Sequence, residues 1–252
     1  MATEPDVRAA GRPSPDVDRP VKPESHHRDI QGGAARAAVF GVSDGLVSNV
    51  ALILGMAGAA PRGTAVLLAG LAGLIGGSVS MASGEYISMK VQRELFEREL
   101  DMERRELGRR PHVEQVELSL IYQARGMDPD LSRQLAAEMM RDPDLALQTH
   151  AREELGIDPD ALGSPWIAAL SSFVTFAAGA LVPLSPWFFA RGDAAIITSI
   201  VVAVVAAVVV GWVIGRFTGR ARWRSAVRQL LFAAVPAALT FGIGSAVGAT
   251  VS

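Results

Sequence analysis

The 252-residue chain has no cysteine and few aromatic residues. Without cysteine it can form neither disulfides nor thiolate metal sites, and redox chemistry does not indicate its compartment. Aromatic residues make up 6% and hydrophobic residues 50%, so the apolar content is mostly Ala, Val, Leu, Ile and Gly. This composition is typical of membrane proteins rather than of a globular core. The net charge of -2 is close to zero, so we expect no nucleic-acid partner.

The first 33 residues contain no apolar stretch, so we expect no signal peptide there. Five prolines stand among charged and small residues in this segment, which predicts a disordered, solvated tail. His26 and His27 are adjacent in the tail. They could contact a metal, but no other ligand is spaced nearby, and two exposed histidines are the simpler interpretation.

Five segments are apolar over the roughly 20 residues that a helix needs to cross a bilayer. They are Ala38–Ala60, Thr64–Met89, Trp166–Ala190, Ala194–Gly215 and Leu230–Val251. Tight turns at 60–63 and 191–193 make helical hairpins of the first and second spans and of the third and fourth. Glycines spaced four residues apart, such as Gly41 and Gly45, predict close helix packing. The chain is therefore predicted to be an all-α integral membrane protein.

Basic residues predict the orientation. Between spans four and five lie five arginines, and the tail and the segment between spans two and three are also rich in Arg and Lys. Five crossings put all three on one side. We therefore expect a cytoplasmic N-terminus and a C-terminus on the far side. The predicted domains are a tail (1–33), two spans (34–89), a cytoplasmic insert (90–164) and three further spans (165–252).

The insert is polar and has the pattern of helices. Span two is predicted to continue unbroken from Gly84 to Gly108, because good helix formers dominate and no proline occurs before Pro111. Further helices are predicted at Val113–Arg125, Asp130–Arg141 and Asp144–Leu155. Asp-Pro-Asp units at 128–130, 142–144 and 158–160 are typical of helix starts with proline in the first turn.

Carboxylates in the insert recur at helical spacing, where residues three or four apart share a face. The pairs are Glu103 with Glu106, Glu114 with Glu117, and His150 with Glu154. If three helices bring these pairs together, they would suit a divalent first-row metal such as Fe(II), Mn(II) or Zn(II). The alternative is that they are solvated faces paired with the many arginines, since Glu-x-x-Glu is common in charged helices.

Asp44 lies inside the first span, where an acid is costly and marks a functional site by default. It shares a helix face with Ser48, and Asn49 is adjacent. On span two, Met81, Glu85 and Met89 follow one stripe. A carboxylate facing a thioether would suit Fe(II) better than Mg²⁺ or Ca²⁺. The alternatives are that the methionines only pack and that Glu85 reaches the cytoplasmic interface.

Several stretches together resemble the vacuolar iron transporter family of divalent-metal/proton antiporters. They are GVSDGLVSNVALILGMAGA, SMASGEYISMKVQRE, HAREELGI and SPWIAALSSFVTFAAGALVPLSPW. They occur in order, and the resemblance covers nearly all of the chain from about residue 33. The Asp-Gly-Leu-Val-Ser-Asn and Gly-Glu-Tyr-Ile-Ser stretches are its most specific parts.

The resemblance implies a homodimer of five-helix subunits with a path at the dimer interface between the first helices. It implies that Asp44 and Met81 are membrane ligands, and that the insert binds metal in the cytoplasm. The implied ligands there are Glu103, Glu106, Glu114, Glu117 and Glu154. Where eukaryotic members have a Met-Met pair this chain has His150-Ala151, so manganese becomes an alternative to iron. Asn49, Glu85 and Tyr86 are ligands, gating residues or packing groups along the path.

The main hypothesis is export of Fe²⁺, or alternatively Mn²⁺, from the cytosol in exchange for protons, with Zn²⁺ and Co²⁺ as further candidate ions. No prosthetic group and no enzymatic activity are expected. A di-iron oxidase is disfavoured because the insert has no Glu-x-x-His motif. A membrane-anchored metal sensor or buffer is the other alternative, although anchoring does not explain Asp44. An Ala- and Arg-rich chain without a targeting segment favours a bacterial plasma membrane.

Overall fold

The computed structural model describes residues 33–59 and 63–251, and over these ranges the regular structure is helical. The α-helices are α1 (Ala34–Ala59), α2 (Gly63–Arg109), α3 (Pro111–Ala124), α4 (Pro129–Met139), α5 (Pro143–Glu153), α6 (Pro165–Leu184), α7 (Asp193–Phe217) and α8 (Arg222–Val251). Short 3-10 turns span Pro159–Ala161 and Ser185–Phe188. The predicted tail with His26 and His27 lies outside the described residues except for Gly33, as does the turn at 60–63 except for Gly63.

Five helices, α1, α2, α6, α7 and α8, are long and apolar enough to cross a membrane, which confirms the five predicted spans and the all-α class. The α-helix of the third span ends earlier than the predicted Ala190. α6 stops at Leu184 and a 3-10 turn follows, because Pro183 and Pro186 have no N–H to continue the α-helical hydrogen bonds. Gly192 closes the second turn with a φ of 61°, a conformation that favours glycine.

α1 lies at the centre of the membrane part and contacts α2, α6, α7 and α8. Glycines allow the closest approaches. A Cβ at Gly45 would collide with the Phe176 carbonyl of α6, and one at Gly244 of α8 would collide with the Gly55 carbonyl of α1. Small residues therefore bring the helix backbones together, as the four-residue spacing predicts.

α2 is a single helix of 47 residues, which confirms that span two runs on into the insert. At 1.5 Å per residue it is about 70 Å long, whereas a bilayer core is about 30 Å thick. The part after Met89 therefore extends about 30 Å beyond the predicted span. This extension carries the first glutamates of the insert.

The remaining insert helices begin as the Asp-Pro-Asp units predict. The Asp128 carboxylate accepts hydrogen bonds from the backbone N–H groups of Asp130 and Leu131 at the start of α4, and Asp142 does the same for α5. These caps satisfy N–H groups that have no partner within the helix. α5 lies beside the extension of α2 and is in contact with it.

Candidate functional site

A cavity of about 340 Å³ opens beside α1 and α2 within the apolar spans. Asp44 and Ser48 line it from α1, and Ser80 and Met81 line it from α2. Asp44 is half-buried, and the Ser48 hydroxyl donates to the Asp44 main-chain carbonyl at 2.6 Å. The two predicted membrane ligands thus lie on different helices but line one cavity, which we call the membrane cavity.

Asn49 also lines the membrane cavity and is only 2% exposed. Its Nδ2 donates to the Ala180 carbonyl of α6 at 2.7 Å, which fixes the amide group. Its Oδ1 accepts no hydrogen bond from the described residues, although a buried polar atom without a partner is costly. Asn49 therefore carries a buried amide oxygen without a hydrogen-bond partner among the described residues, on a residue that lines the cavity.

The other candidates on span two lie elsewhere. The Glu85 carboxylate is 2.9 Å from a guanidinium nitrogen of Arg36 on α1, and Glu85 is buried. The Tyr86 ring packs on Trp166 with 4.8 Å between centroids. Met89 is buried with Ala37 and Ala168. The predicted stripe of Met81, Glu85 and Met89 therefore contributes only Met81 to the lining of the membrane cavity.

A second group of ligand atoms lies in the insert. Glu103 of α2, His150 of α5 and Glu154 after α5 offer ligand atoms within 4.8 Å of one another. His150 Nδ1 is 3.2 Å from Glu103 Oε1 and 3.3 Å from Glu154 Oε2. His150 is fully buried and Glu103 is 3% exposed. We call this the insert cluster, and its two buried members, Glu103 and His150, are 47 residues apart in the sequence.

The electrostatics of the insert cluster favour a cation. Burial and the charges of Glu154, Glu114, Glu106 and Glu117 raise the pKa of Glu103 to about 7. Burial, with Glu117 and Glu106, also raises the pKa of Glu114. Glu114 is buried, whereas Glu106 and Glu117 are exposed. The other four predicted glutamates therefore all raise the pKa of Glu103. Only Glu103 and Glu154 belong with His150 to the insert cluster.

The insert cluster can hold a metal through two carboxylates and an imidazole, a donor set that suits Fe(II), Mn(II) or Zn(II). Glu103 Oε1 and His150 Nε2 are buried and form no hydrogen bond with a described residue. With a proton on Nδ1, His150 donates to Glu154; without it, the Nδ1 lone pair points at the two carboxylates. A proton and a cation would therefore compete for the same buried ligand atoms of this group.

Among the residues that line the membrane cavity, sequence reasoning missed Ser80 and Phe176. Ser80 is adjacent to Met81, and its position beside a predicted ligand could have indicated that it lines the same cavity. Phe176 comes from α6, so no local spacing connects it with Asp44. It approaches α2 closely, since a Cβ at Gly77 would collide with its ring.

Comparison with known proteins places the chain among membrane transporters of one family. Residues 35–245 match the family model described as the VIT family. The chain is 33% identical over 226 residues to the Vacuolar iron transporter 1 of Oryza sativa subsp. japonica, which covers 89% of each chain. It is 39% identical over 160 residues to the Vacuolar iron transporter of Acanthamoeba castellanii, covering 63% of this chain and 58% of that protein. The Vacuolar iron transporter homolog 4 of rice is 55% identical over 76 residues.

Proposed function

Because the chain is a multi-pass membrane protein that belongs to the VIT family, we propose that it carries a divalent metal ion across a membrane, with Fe²⁺ as the first candidate. The relatives described above are named iron transporters. The observation that carries the proposal is the membrane cavity, where the Asp44 carboxylate and the Met81 thioether line one space. An acid inside a membrane span is costly unless it meets a cation or a proton.

The proposed route begins at the insert and ends at the membrane cavity. The insert cluster, with Glu106, Glu114 and Glu117 around it, collects the metal on the cytoplasmic side. The ion then passes to Asp44 and Met81, with Asn49 Oδ1 as a further oxygen ligand, and leaves on the far side. The basic residues of the insert and of the α7–α8 loop support this orientation through the positive-inside rule.

Proton exchange follows from carboxylate chemistry. A poorly hydrated carboxyl group favours its protonated form, whereas a nearby dication favours the ionised form. A proton and a metal ion therefore compete for Asp44. We propose that metal leaves the cytosol as protons enter.

The donor atoms of the two candidate sites suit several divalent ions. The thioether of Met81 favours Fe²⁺, whereas the imidazole of His150 and the carboxylates also suit Mn²⁺, Zn²⁺ and Co²⁺. We propose a homodimer in a bacterial plasma membrane, with the membrane cavity facing the partner. The exposed Phe40 and Leu52 in the cavity lining support such a contact.

Flux through proteoliposomes tests the proposal. Purified protein is reconstituted with a metal-sensitive dye and a pH dye inside, and Fe²⁺, Mn²⁺, Co²⁺ or Zn²⁺ is added outside under an imposed pH gradient. We expect metal movement with opposite proton movement, lost in Asp44→Asn and retained in Asp193→Asn, which changes an exposed acid at the start of α7. Full flux in Asp44→Asn would refute the assignment.

A membrane-anchored sensor or buffer is the second candidate, and the insert cluster favours it, because its ligands lie together within one chain. Tight metal binding without flux of any of the four ions would support this alternative. Flux that depends on Asp44 would exclude it.

A further inference from the structure

The end of the α7–α8 hairpin carries positive charge that no described residue balances with an ion pair. Its arginines are Arg216, Arg220, Arg222, Arg224 and Arg228, and all are exposed. None of them forms an ion pair with a described residue, whereas seven other arginines do. No Asp or Glu follows Asp193 in the sequence. The described part of the chain therefore supplies no carboxylate to these arginines, which leaves their guanidinium groups available to an anion.

Two tryptophans contact arginines of this group of five, which we call the arginine patch. The Arg222 guanidinium lies 5.0 Å from the centre of the Trp212 ring, and that of Arg224 lies 5.3 Å from the centre of the Trp223 ring. Such contacts are attractive and orient the guanidinium plane. Tryptophan is also typical of the membrane–water interface. The patch is therefore positioned at the depth of lipid headgroups.

Two grooves run from the arginines towards apolar residues. One, of about 720 Å³, is lined by Arg220 and Arg222 near the loop and by Val208 and Leu230 further along α7 and α8. The other, of about 520 Å³, runs along α8 from Arg224 and Arg228 to Val235 and Pro236. Trp223 lines both grooves. Each groove is thus charged at one end and apolar at the other.

We propose that this hairpin end is a binding site for an anionic phospholipid. Guanidinium groups bind phosphate oxygens through paired N–H donors, and basic pockets at the ends of membrane helices bind acidic headgroups. The phosphate lies among the arginines and the acyl chains lie in the two grooves. Free phosphate would leave the grooves unfilled, and a zwitterionic lipid would leave the charge of the five arginines unbalanced.

Thermal unfolding of the full-length protein in neutral detergent tests the site. The probes are dioctanoyl phosphatidylglycerol, dioctanoyl phosphatidylcholine and inorganic phosphate at equal concentration. We expect phosphatidylglycerol to raise the Tm by about 3 °C or more, because a ligand that binds only the folded state stabilises it. The other two probes should change it little.

Arginine variants connect the shift to the patch. The variant Arg220→Gln/Arg222→Gln/Arg224→Gln/Arg228→Gln should lose the shift. The matched control, Arg98→Gln/Arg105→Gln/Arg109→Gln/Arg110→Gln, removes as much charge from exposed positions of the insert and should keep it. If the first variant does not fold, Arg224→Gln/Arg228→Gln serves instead and should lose at least half of the shift.

Three outcomes would overturn the proposal. An equal shift with phosphatidylcholine would mean that the grooves bind lipid without regard to charge. An equal shift with phosphate would mean that the arginines bind an adventitious anion only. A full phosphatidylglycerol shift in the patch variant would place the lipid elsewhere. The test measures no metal flux, so its result is independent of the transport proposal.

Discussion

His150 Nδ1 lies 3.2 Å from Glu103 Oε1, and both side chains are buried in a polar part of the chain. This contact joins α5 to the extension of α2 beyond Met89 and brings a carboxylate out of water. Burying a carboxylate is costly unless it is paired or binds a metal. The contact therefore supports the proposal that the insert binds a cation.

Removing the Glu103 carboxylate should weaken metal binding by the purified full-length protein. We expect Glu103→Gln to reduce Mn²⁺ affinity at least about tenfold, since even a group that only orients a ligand contributes about 10- to 100-fold. Isothermal titration calorimetry measures the affinity. Glu94→Gln, which changes an exposed glutamate nine residues earlier on α2, is the control. Equal affinities in the two variants would remove Glu103 from the site.

Metal binding should depend on pH because the pKa of Glu103 is about 7. The metal binds the ionised form, so affinity is fully present above pH 7 and falls below it by up to about tenfold per pH unit. Titrations between pH 6 and pH 8 measure this slope, which should be smaller in Glu103→Gln. A slope that the substitution leaves unchanged would contradict the role of Glu103.

Without metal the same group should destabilise the folded protein as the pH rises. Its folded-state pKa of about 7 is above the ordinary value of 4.5, so the stabilising contribution is complete below pH 4.5 and is lost as the pH rises through 7. Chelator-treated protein should therefore lose more Tm between pH 5 and pH 7.5 than Glu103→Gln does. Identical pH profiles would show that Glu103 does not titrate in this range.

Exchanging Met81 for leucine should change which ions are carried while preserving the fold, because the two side chains have similar volumes. The thioether is a soft ligand that favours Fe²⁺ over Mn²⁺, so we expect the Fe²⁺/Mn²⁺ flux ratio in proteoliposomes to fall. Met56→Leu, a substitution on α1 away from the residues that line the membrane cavity, should leave the ratio unchanged. A ratio unaffected by Met81→Leu would show that the sulfur is not a ligand.

The packing of α1 on α6 should fail if Gly45 gains a side chain. A Cβ there would collide with the Phe176 carbonyl, whereas a Cβ at Gly76 of α2 has open space around it. Overpacking costs about 1–3 kcal/mol, so Gly45→Ala should lower the Tm and Gly76→Ala should not. Equal Tm values would mean that the two helices separate without cost.

The sequence was sufficient for features that depend on local spacing. Asp128 and Asp142 cap helices as their Asp-Pro-Asp units predict, and the uninterrupted helix formers after Gly84 produce one long α2. The spacing also selected Glu103, His150 and Glu154. The spacing could not distinguish buried Glu103 from exposed Glu106. Helical spacing shows which residues share a face, but it does not show which other helix packs against that face.

Partners far apart in the chain could not be predicted. Arg36 and Glu85 are 49 residues apart, and Asn49 and Ala180 are 131 residues apart. Both contacts depend on how α1 packs against α2 and α6, which the glycines permit but do not specify. The distance in sequence explains why Glu85 and Asn49 were equal candidates before the fold was known.

The continuity of α2 sets a fixed distance between the two candidate metal sites. Met81 and Glu103 stand 22 residues apart on one unbroken helix, which corresponds to about 33 Å. Shortening that distance would break main-chain hydrogen bonds of α2. The separation between the two sites is therefore fixed as long as the helix stays intact. On the proposed route, the insert cluster therefore cannot move against Asp44 and Met81 to hand over an ion. Delivery would be faster only if the local concentration of the ion at the membrane cavity rose.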